Sequence, residues 1–581
     1  MKNKLQILHL IVLCCSFQIS SAQTSQQLDI NNINARINTK GFLFNNPGAY
    51  LPGFEAPKGS GKHSVYAANL WMGNATNLAA STYYIDSCDF GNGPLTIYGA
   101  TTPTVESQFN KVWKVSKTEI DYHIGVTTGA IIDPGYVIPS AIATWPAHGY
   151  VYGMDYATYL APFVDVDTDN TYNPSSGDYP LIKGDMATYI IYNDYSTVPH
   201  KLSGGQTIGL EIHQMAYAFS CTLDSALNNT IFVEYKIINK TANTYPNFYF
   251  GMWSDIDIGN AGNEFVECDV TRSCYFQYNN GTDANSGSTL GYGNYHPTQG
   301  VVILSGPWID GDGIDNSKTW DGVNAWCPNG IGFEDVIIDN ERWGMTSFMH
   351  NNTNGLAWQA MPTTASQYHG VMKSYWPDNT YLRYGGWGHT VYYDYDIPSK
   401  FAYPGSSDPT GFGTSGMSYP FWNAISVGQS QTDEKSIGGM GPITFQPGHV
   451  NIIEVAYVFA QNTTTTGVQP GKDLFFQYVD QIKSLYTSGN LNCNTTTSIN
   501  QEIKKEDDVM IYPDPVLDKL YISGISDEKI QSIEIFTVTG KLVQKFNSQE
   551  RILELKQLEA GIYFIQITTA ENKIIRKLIK N

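Results

Sequence analysis

Charged residues are scarce in this sequence, and those present are unevenly divided between the two signs. They make up 15% of the 581 residues, below the roughly 25% of an average soluble chain. Lys and Arg together number 34 against 54 Asp and Glu, for a formal net charge of −20. Because a phosphate backbone is bound by positive charge, this balance argues against nucleic acid as a partner.

Short catalytic motifs are also missing. The sequence contains no G-x-S-x-G elbow, no HExxH zinc site and no complete phosphate-binding loop, which removes the usual signatures of hydrolases, zinc proteases and nucleotide-binding proteins. A glycosidase needs two facing carboxylates, but no spacing in the sequence pairs any two of its acids. Glu211 and His213 share one face of a predicted strand and are the one acid–base pair that the sequence suggests.

Long hydrophobic runs are absent apart from a short one at the start. Lys2 and Lys4 precede the apolar run Leu5–Phe17, and Ser20-Ser21-Ala22 follows it. This order is typical of a secretory signal, and the run is too short for a permanent membrane span. We therefore expect residues 1–22 to be a signal peptide and the mature chain to be exported.

Cysteine is sparse and widely spaced, with no CxxC pair. Removal of residues 1–22 leaves six, which permits up to three disulfides in an exported protein and fifteen possible pairings. Cys268 and Cys274 are close enough in sequence to close a short loop, although buried free thiols explain such cysteines equally well. The six are Cys88, Cys221, Cys268, Cys274, Cys327 and Cys493.

The last part of the chain differs in composition from the rest. A polar stretch at 491–508 predicts a linker, and the tail after it has almost no glycine and no Trp. Seven short β-rich runs, several of which alternate apolar and polar residues, predict a small Ig-like β-sandwich at 509–581. The runs begin near 509, 519, 530, 541, 551, 561 and 573.

Motifs in this tail resemble the type A C-terminal sorting domain of type IX secretion in Bacteroidetes. The matching residues are Tyr512-Pro513-Asp514-Pro515, Thr539-Gly540-Lys541, Gly561-Ile562-Tyr563-Phe564 and the closing Lys577-Leu578-Ile579-Lys580. Asp514 stands where the usual motif has Asn. The resemblance implies recognition by the outer-membrane translocon, a secreted or cell-surface location, and either release or attachment to anionic lipopolysaccharide.

The body at 23–490 is rich in β-branched and aromatic runs separated by Gly, Pro, Asn and Asp. This pattern predicts an all-β, sandwich-type body of one or two subdomains. One amphipathic segment at 472–486 predicts a helix at its C-terminal edge. Phrases such as FGMWSDIDIGN and IDNERWGM resemble those of uncharacterised secreted Bacteroidetes proteins, which implies no particular activity.

Alternating aspartates are the clearest candidate site in the body. Asp165, Asp167 and Asp169 are followed by Asn173 and Asp178. In a tightly curving loop such alternation brings carboxylates together, and Ca²⁺ prefers six to eight oxygen ligands. Calcium binding is therefore expected here, with a solvated acidic turn as the alternative.

Two further acidic segments are weaker calcium candidates. One is WIDGDGIDN, with Asp310, Asp312 and Asp315, where the glycines allow a tight loop. The other, at 253–269, follows two predicted strands and carries Asp255, Asp257, Glu264 and Asp269.

Aromatic residues reach 13% of the chain and concentrate at 145–159 and 375–396. Exposed rings can stack on sugars, whereas buried rings would fill the core of a large β-body; the second interpretation is favoured. The leading hypothesis is a non-catalytic, calcium-stabilised protein that binds glycan, cell surface or matrix. A secreted polysaccharide hydrolase with a hidden carboxylate pair is the main alternative, and a surface-layer or motility component is a third.

Overall fold

The computed structural model describes most of the body and the strands of the tail. The predicted signal peptide and residues 494–508 of the predicted linker lie outside this part. The chain divides into two compact units, 1–494 and 495–581. The described residues are 24–83, 88–352, 355–391, 395–493, 510–512, 516, 518–523, 530–537, 541–547, 550, 552–559, 561–569 and 573–580.

Strands dominate the body. In chain order they are β1 (Ser25–Leu28), β2 (Asn34–Asn38), β3 (Asn45–Asn46), β4 (Leu51–Pro52), β5 (Phe54–Glu55), β6 (His63–Val65), β7 (Ala67–Gly73), β8 (Leu78–Ala79), β9 (Gly91–Asn92), β10 (Trp113–Ser116), β11 (Phe163–Val164), β12 (Tyr179–Pro180), β13 (Met186–Asn193), β14 (Leu210–Ala218), β15 (Thr230–Asn239), β16 (Tyr245–Asp255), β17 (Glu264–Asp269), β18 (Cys274–Asn279), β19 (Pro297–Ser305), β20 (Ser347–Asn352), β21 (Glu434–Phe445) and β22 (Val450–Gln461).

Helices are few and mostly short. They are α1 (Pro103–Gln108), α2 (Lys117–Thr127), α3 (Ser140–Ala143), α4 (Ser225–Asn228), α5 (Ala365–Val371) and α6 (Val468–Thr487). The sequence predicted α6 but missed the other five. The start of α2 is fixed by a capping box, in which Ser116 and Glu119 each accept the backbone N–H of the other; this local signal was present in the sequence. No helix of the described residues is long and apolar enough to cross a membrane.

A nine-stranded antiparallel sheet forms the centre of the body. Its main path is β10-β13-β14-β15-β22-β19-β18-β17, with β9 paired to β13. A second, five-stranded sheet has the order β20-β21-β16-β7-β8. The prediction of an all-β body is therefore confirmed.

Side-chain alternation along β18 shows how the layers pack. The ring of Tyr275 stacks on Phe348 of the five-stranded sheet, with centroids 5.3 Å apart. The next residue, Phe276, contacts Phe475 of α6, also at 5.3 Å. Since successive side chains of a strand point to opposite faces, the central sheet lies between the second sheet and α6.

Cysteine pairing differs from the simplest sequence-based pairing. Cys221 and Cys493 form a disulfide with a Cα–Cα distance of 5.3 Å. Cys268 and Cys274 are buried free thiols, as are Cys327 and, less deeply, Cys88. Cys268 and Cys274 lie on the paired strands β17 and β18 but not opposite each other: Cys268 pairs with Tyr275, and Cys274 pairs with Asp269. The short Cys268–Cys274 disulfide loop therefore does not form.

Seven strands make up the described part of the tail, and they match the seven predicted runs. They form a three-stranded sheet, β23-β24-β27, and a four-stranded sheet, β26-β25-β28-β29. Apolar side chains such as Ile533, Ile565 and Leu578 are fully buried between them. The strands are β23 (Met510–Tyr512), β24 (Lys519–Ser523), β25 (Ile530–Thr537), β26 (Leu542–Phe546), β27 (Ile552–Glu554), β28 (Gly561–Thr569) and β29 (Lys573–Lys580).

Candidate functional site

An open groove of about 400 Å³ lies at the outer side of the five-stranded sheet. Its floor comes from β16, the start of β20 and the Gly441-Pro442 pair within β21. Its walls come from the long segment between β19 and β20 and from the segment that follows α5. The lining residues are Tyr249, Trp320, Asn324, Ala325, Trp326, Trp343, Thr346, Ser347, Lys373, Tyr375, Tyr381, Lys400, Phe412, Gly441 and Pro442.

Aromatic rings form both walls of the groove. On one wall the rings of Trp320 and Trp326 lie 6.0 Å apart, and Trp326 meets Phe412 edge-on at 4.9 Å. On the other, Tyr375 and Tyr381 pack edge-on at 4.6 Å. Trp320 is 48% exposed, an unusual position for so large an apolar side chain.

A glycine allows the exposed Trp320 to lie close to the backbone. Gly416 has φ +86°, and a Cβ there would come within 2.7 Å of the Trp320 ring. Only glycine satisfies both the positive φ and the close approach. The neighbouring loop therefore fixes the position of the Trp320 ring, which does not rotate freely at the surface.

Two lysines are the charged residues of the groove, whose lining includes no carboxylate. The ammonium group of Lys400 lies 4.7 Å from the ring centre of Phe412, and that of Lys373 lies 5.6 Å from Tyr249. Burial lowers the pKa of both lysines, and burial raises the pKa of Tyr381 to about 12. The groove is thus aromatic and locally positive in a chain of net charge −20.

Only part of this groove was predicted from the sequence. The segment 375–396 was predicted to be mainly core, and Trp376 and Tyr384 are indeed buried. Tyr375 and Tyr381 from the same segment line the groove instead. Trp320, Lys373 and Lys400 were not singled out, because no pattern in the sequence places these distant residues side by side.

The predicted calcium loop brings three aspartates together. One carboxylate oxygen each from Asp165, Asp167 and Asp169 lies within 4.8 Å of the others. Oxygens around a Ca²⁺ ion at 2.3–2.6 Å have spacings of this size. The pKa of Asp167 is raised by desolvation and then by the charge of Asp169. Calcium binding at this loop remains a prediction.

Asn173 and Asp178 have a different part in the same loop. Asp178 is fully buried, and its carboxylate accepts the backbone N–H groups of Val166 (2.8 Å) and Asn173 (2.7 Å). The Asn173 side chain accepts the N–H of Ser175 and caps a short 3₁₀ turn. Both side chains shape the loop, and neither is in the group of three converging aspartates.

Asp310, Asp312 and Asp315 are directed to separate partners. Asp310 accepts the N–H of Thr444, and Asp312 accepts from Ile314. Asp315 accepts the N–H of Val336. Among the described residues, these three do not form a group with oxygens within 4.8 Å of one another.

The third acidic segment forms a buried cluster that includes one unpredicted residue. Oxygens of Asp255 and Asp257 lie within 4.8 Å of Asp433, at the approach to β21. Lys435 contacts Asp255 at 2.9 Å and also pairs with Asp433. Burial raises the pKa of Asp255 to about 6, and burial followed by the charge of Asp255 raises that of Asp257 well above its usual range.

The remaining acidic candidates form buried networks. His213 Nε2 lies 2.8 Å from Glu211, and its Nδ1 lies 2.8 Å from the Tyr189 hydroxyl; both His213 and Glu211 are buried. Glu234 and Glu454 face each other across β15 and β22. Lys183 lies between these two glutamates at 2.6 and 2.9 Å and neutralises them.

Comparisons with known proteins separate the tail from the body. Residues 510–581 match the family described as Secretion system C-terminal sorting domain. An ulvan lyase from Nonlabens ulvanivorans is 27% identical over 161 residues, which cover 26% of this chain and 30% of the lyase. The match therefore spans less than a third of that relative.

A solved polysaccharide lyase is also similar to part of the chain. It shares 8% identity, with a TM-score of 0.16, over 64% of this chain and 34% of its own. Overlap this weak carries no inference about fold or activity. The tail match is the specific one: it is a type IX secretion sorting domain, and it directs this protein to the cell surface or the extracellular space.

Proposed function

We propose that this exported protein binds a polysaccharide chain in the aromatic groove. The observation that carries the proposal is the groove itself, where exposed and half-buried aromatic rings line both walls of an open cleft of about 400 Å³. Flat rings pack against the apolar C–H faces of sugars, and a few polar groups then fix orientation. Asn324, Thr346 and Ser347 supply such groups here.

Cleavage of the bound chain is a second candidate function, and the similarity to an ulvan lyase favours it. The groove lining has no Asp or Glu, so it does not supply the two carboxylates of a glycosidase. An elimination instead needs a base that removes the proton next to a uronate carboxylate, a cation that stabilises the resulting charge, and an acid that protonates the departing sugar oxygen as the glycosidic bond breaks. Lys373, with its lowered pKa, and Tyr375 are of the right types for these roles.

Binding is tested by titrating the protein with alginate, polygalacturonate, xylan and dextran and measuring calorimetric heats. We expect at least one to bind, and Trp320→Ala to weaken that binding about tenfold or more, because buried aromatic anchors dominate such interfaces. Tyr98→Ala is the matched control, since Tyr98 is 73% exposed and lies outside the groove lining. Equal loss in both variants, or no binding to any of the four, contradicts the proposal.

Cleavage is tested with the same polysaccharides by following products. Elimination creates a carbon–carbon double bond conjugated to the carboxylate and raises ultraviolet absorbance, whereas hydrolysis produces reducing ends without that absorbance. If a polysaccharide binds but gives neither signal, the protein binds polysaccharide without cleaving it, as the leading sequence-based hypothesis states. Attachment to lipopolysaccharide stays a prediction from the sorting-domain resemblance.

A further inference from the structure

We propose that the groove selects anionic polysaccharides and that Lys373 and Lys400 contact their carboxylate or sulfate groups. The inference rests on the proposed function and adds the charge class of the ligand. It follows from the way in which these two lysines are held, over aromatic rings and without an acidic partner among the described residues, in contrast to Lys183 and Lys435.

Local charge in the groove is opposite to that of the whole protein. A chain with 54 acidic and 34 basic residues repels anions on average. The fifteen lining residues nevertheless include two lysines and no acid. An anionic chain that reaches the groove therefore meets no carboxylate on its walls.

Lys400 is half-buried without an ion pair to any described residue. Burial lowers its pKa, and its ammonium group lies over the Phe412 ring at 4.7 Å. Asp408 is the acid whose charge it feels, but that carboxylate already accepts the N–H groups of Phe412 and Gly413 at 2.7 and 2.8 Å. A desolvated cation in this state gains strongly from an incoming anion.

Lys373 repeats the arrangement on the opposite wall. Its ammonium group lies 5.6 Å from the ring centre of Tyr249 and 6.0 Å from that of Tyr375. It forms no ion pair within 4.0 Å among the described residues, and burial lowers its pKa. Its aromatic neighbours leave the donors of the ammonium group available to a ligand.

Other lysines in the body show the contrast. Lys183 binds both Glu234 and Glu454, and Lys435 binds both Asp255 and Asp433. Acidic side chains thus neutralise these two desolvated lysines, whereas no acidic side chain of the described residues lines the groove beside Lys373 and Lys400. Two such lysines beside stacked rings favour a ligand that presents anionic groups and apolar sugar faces together.

The test uses two pairs of polysaccharides in which each pair shares one sugar backbone and differs in whether its substituents are charged. Polygalacturonate is compared with its fully methyl-esterified form, and dextran sulfate with dextran, so that carboxylate and sulfate recognition are separated. At low salt we expect at least one charged form to bind about tenfold or more tightly than its neutral partner. Raising the salt concentration of the unmodified protein should shrink that ratio.

Substitutions assign the preference to the lysines. Lys373→Gln and Lys400→Gln should each reduce the charged-to-neutral ratio several-fold while retaining binding of the neutral form, and Lys400→Arg should restore part of it. Lys117→Gln removes the same charge from an exposed site outside the groove and should leave the ratio unchanged. A matching melting temperature shows that each variant is folded.

The outcomes separate the two proposals. Equal affinity for charged and neutral forms, with loss of both in Trp320→Ala, overturns the charge inference and leaves polysaccharide binding intact. If Trp320→Ala binds every polysaccharide as tightly as the unmodified protein does, both the charge inference and the proposal of binding in the groove are overturned. Tighter groove binding of single-stranded oligothymidylate than of any polysaccharide would show a nucleic-acid site and overturn the inference.

Discussion

The groove and the acidic regions are opposite in charge and in how the sequence encodes them. The acidic regions come mainly from contiguous stretches such as Asp165–Asp169, in which the spacing itself indicates a site. The groove is assembled from Tyr249, Trp320, Lys373 and Lys400, which are separated by up to about 150 residues. The difference shows that a conspicuous sequence motif does not indicate where a cleft lies. The motif reflects neighbouring residues in the chain, whereas the cleft results from the order of strands in the sheet.

The three acidic regions also differ among themselves. The loop at 165–169 gathers carboxylates at the surface, the cluster around Asp255 gathers them in the interior, and the 310–315 segment directs them to backbone amides. We expect these arrangements to respond differently to protons, calcium and substitution, with the largest effect at the buried cluster and the smallest at the 310–315 segment.

The largest expected effect is on the pH dependence of stability at the buried cluster. The pKa of Asp255 is raised from an ordinary 3.8 to about 6, so between those values the folded protein binds more protons than the unfolded chain. The free energy of unfolding should therefore fall by about 3 kcal/mol as pH rises from about 3 to 7. Denaturant unfolding across this range measures the change.

A substitution identifies the cause. Asp257→Asn removes a buried carboxyl whose own pKa is raised by burial and by the charge of Asp255, so it should flatten the pH dependence and raise stability at pH 7 by about 1–2 kcal/mol. Asp121→Asn, at an exposed surface pair, should do neither. Destabilisation by Asp257→Asn at pH 7 would instead show that the cluster needs its full charge, as a cation site does.

Calcium should stabilise the loop at 165–169. At a calcium concentration about 100-fold above the dissociation constant, one site contributes about 2.7 kcal/mol, visible as a rise in melting temperature over the protein in EDTA. Asp167→Asn should abolish that rise, because it removes one of three converging ligands. An unchanged melting temperature on addition of calcium would show that the loop at 165–169 is a solvated acidic turn and not a calcium site.

The smallest effect is expected at the 310–315 segment. Asp310→Ala removes one exposed hydrogen bond, from the N–H of Thr444, and should cost about 0.5–1 kcal/mol. The calcium response should remain that of the unmodified protein, since Asp310 is not in a converging group. A reduced calcium response in Asp310→Ala would place a metal site in this segment after all.

Much of the fold was accessible from local patterns in the sequence. The seven strands of the tail were predicted because each is a short run rich in β-forming residues, and several alternate apolar and polar residues over a half-buried surface. Helix α6 was predicted from its apolar face, on which Phe475, Val479 and Ile482 are buried. The shorter helices were missed because their runs are too brief for periodicity to exceed the β-rich background.

Less of the candidate site could be predicted, for a physical reason. Asp433 joins Asp255 only because β21 pairs with β16, and no local spacing encodes that register. The groove depends likewise on the course of two long connecting segments. The aromatic surplus and the scarcity of lysine were visible, but their placement together required the sheet order.

The Cys221–Cys493 bond has a mechanical consequence. Cys493 follows α6 and is the last described residue of the body unit, while Cys221 lies between β14 and α4. A pull on the sorting domain is therefore transmitted covalently to the loop after a central strand, bypassing the terminal helix. A force applied to the C-terminal end therefore reaches the body through the disulfide and does not have to unfold α6. If the chain is cleaved beyond Cys493, the disulfide still links the C-terminal end of α6 to the body.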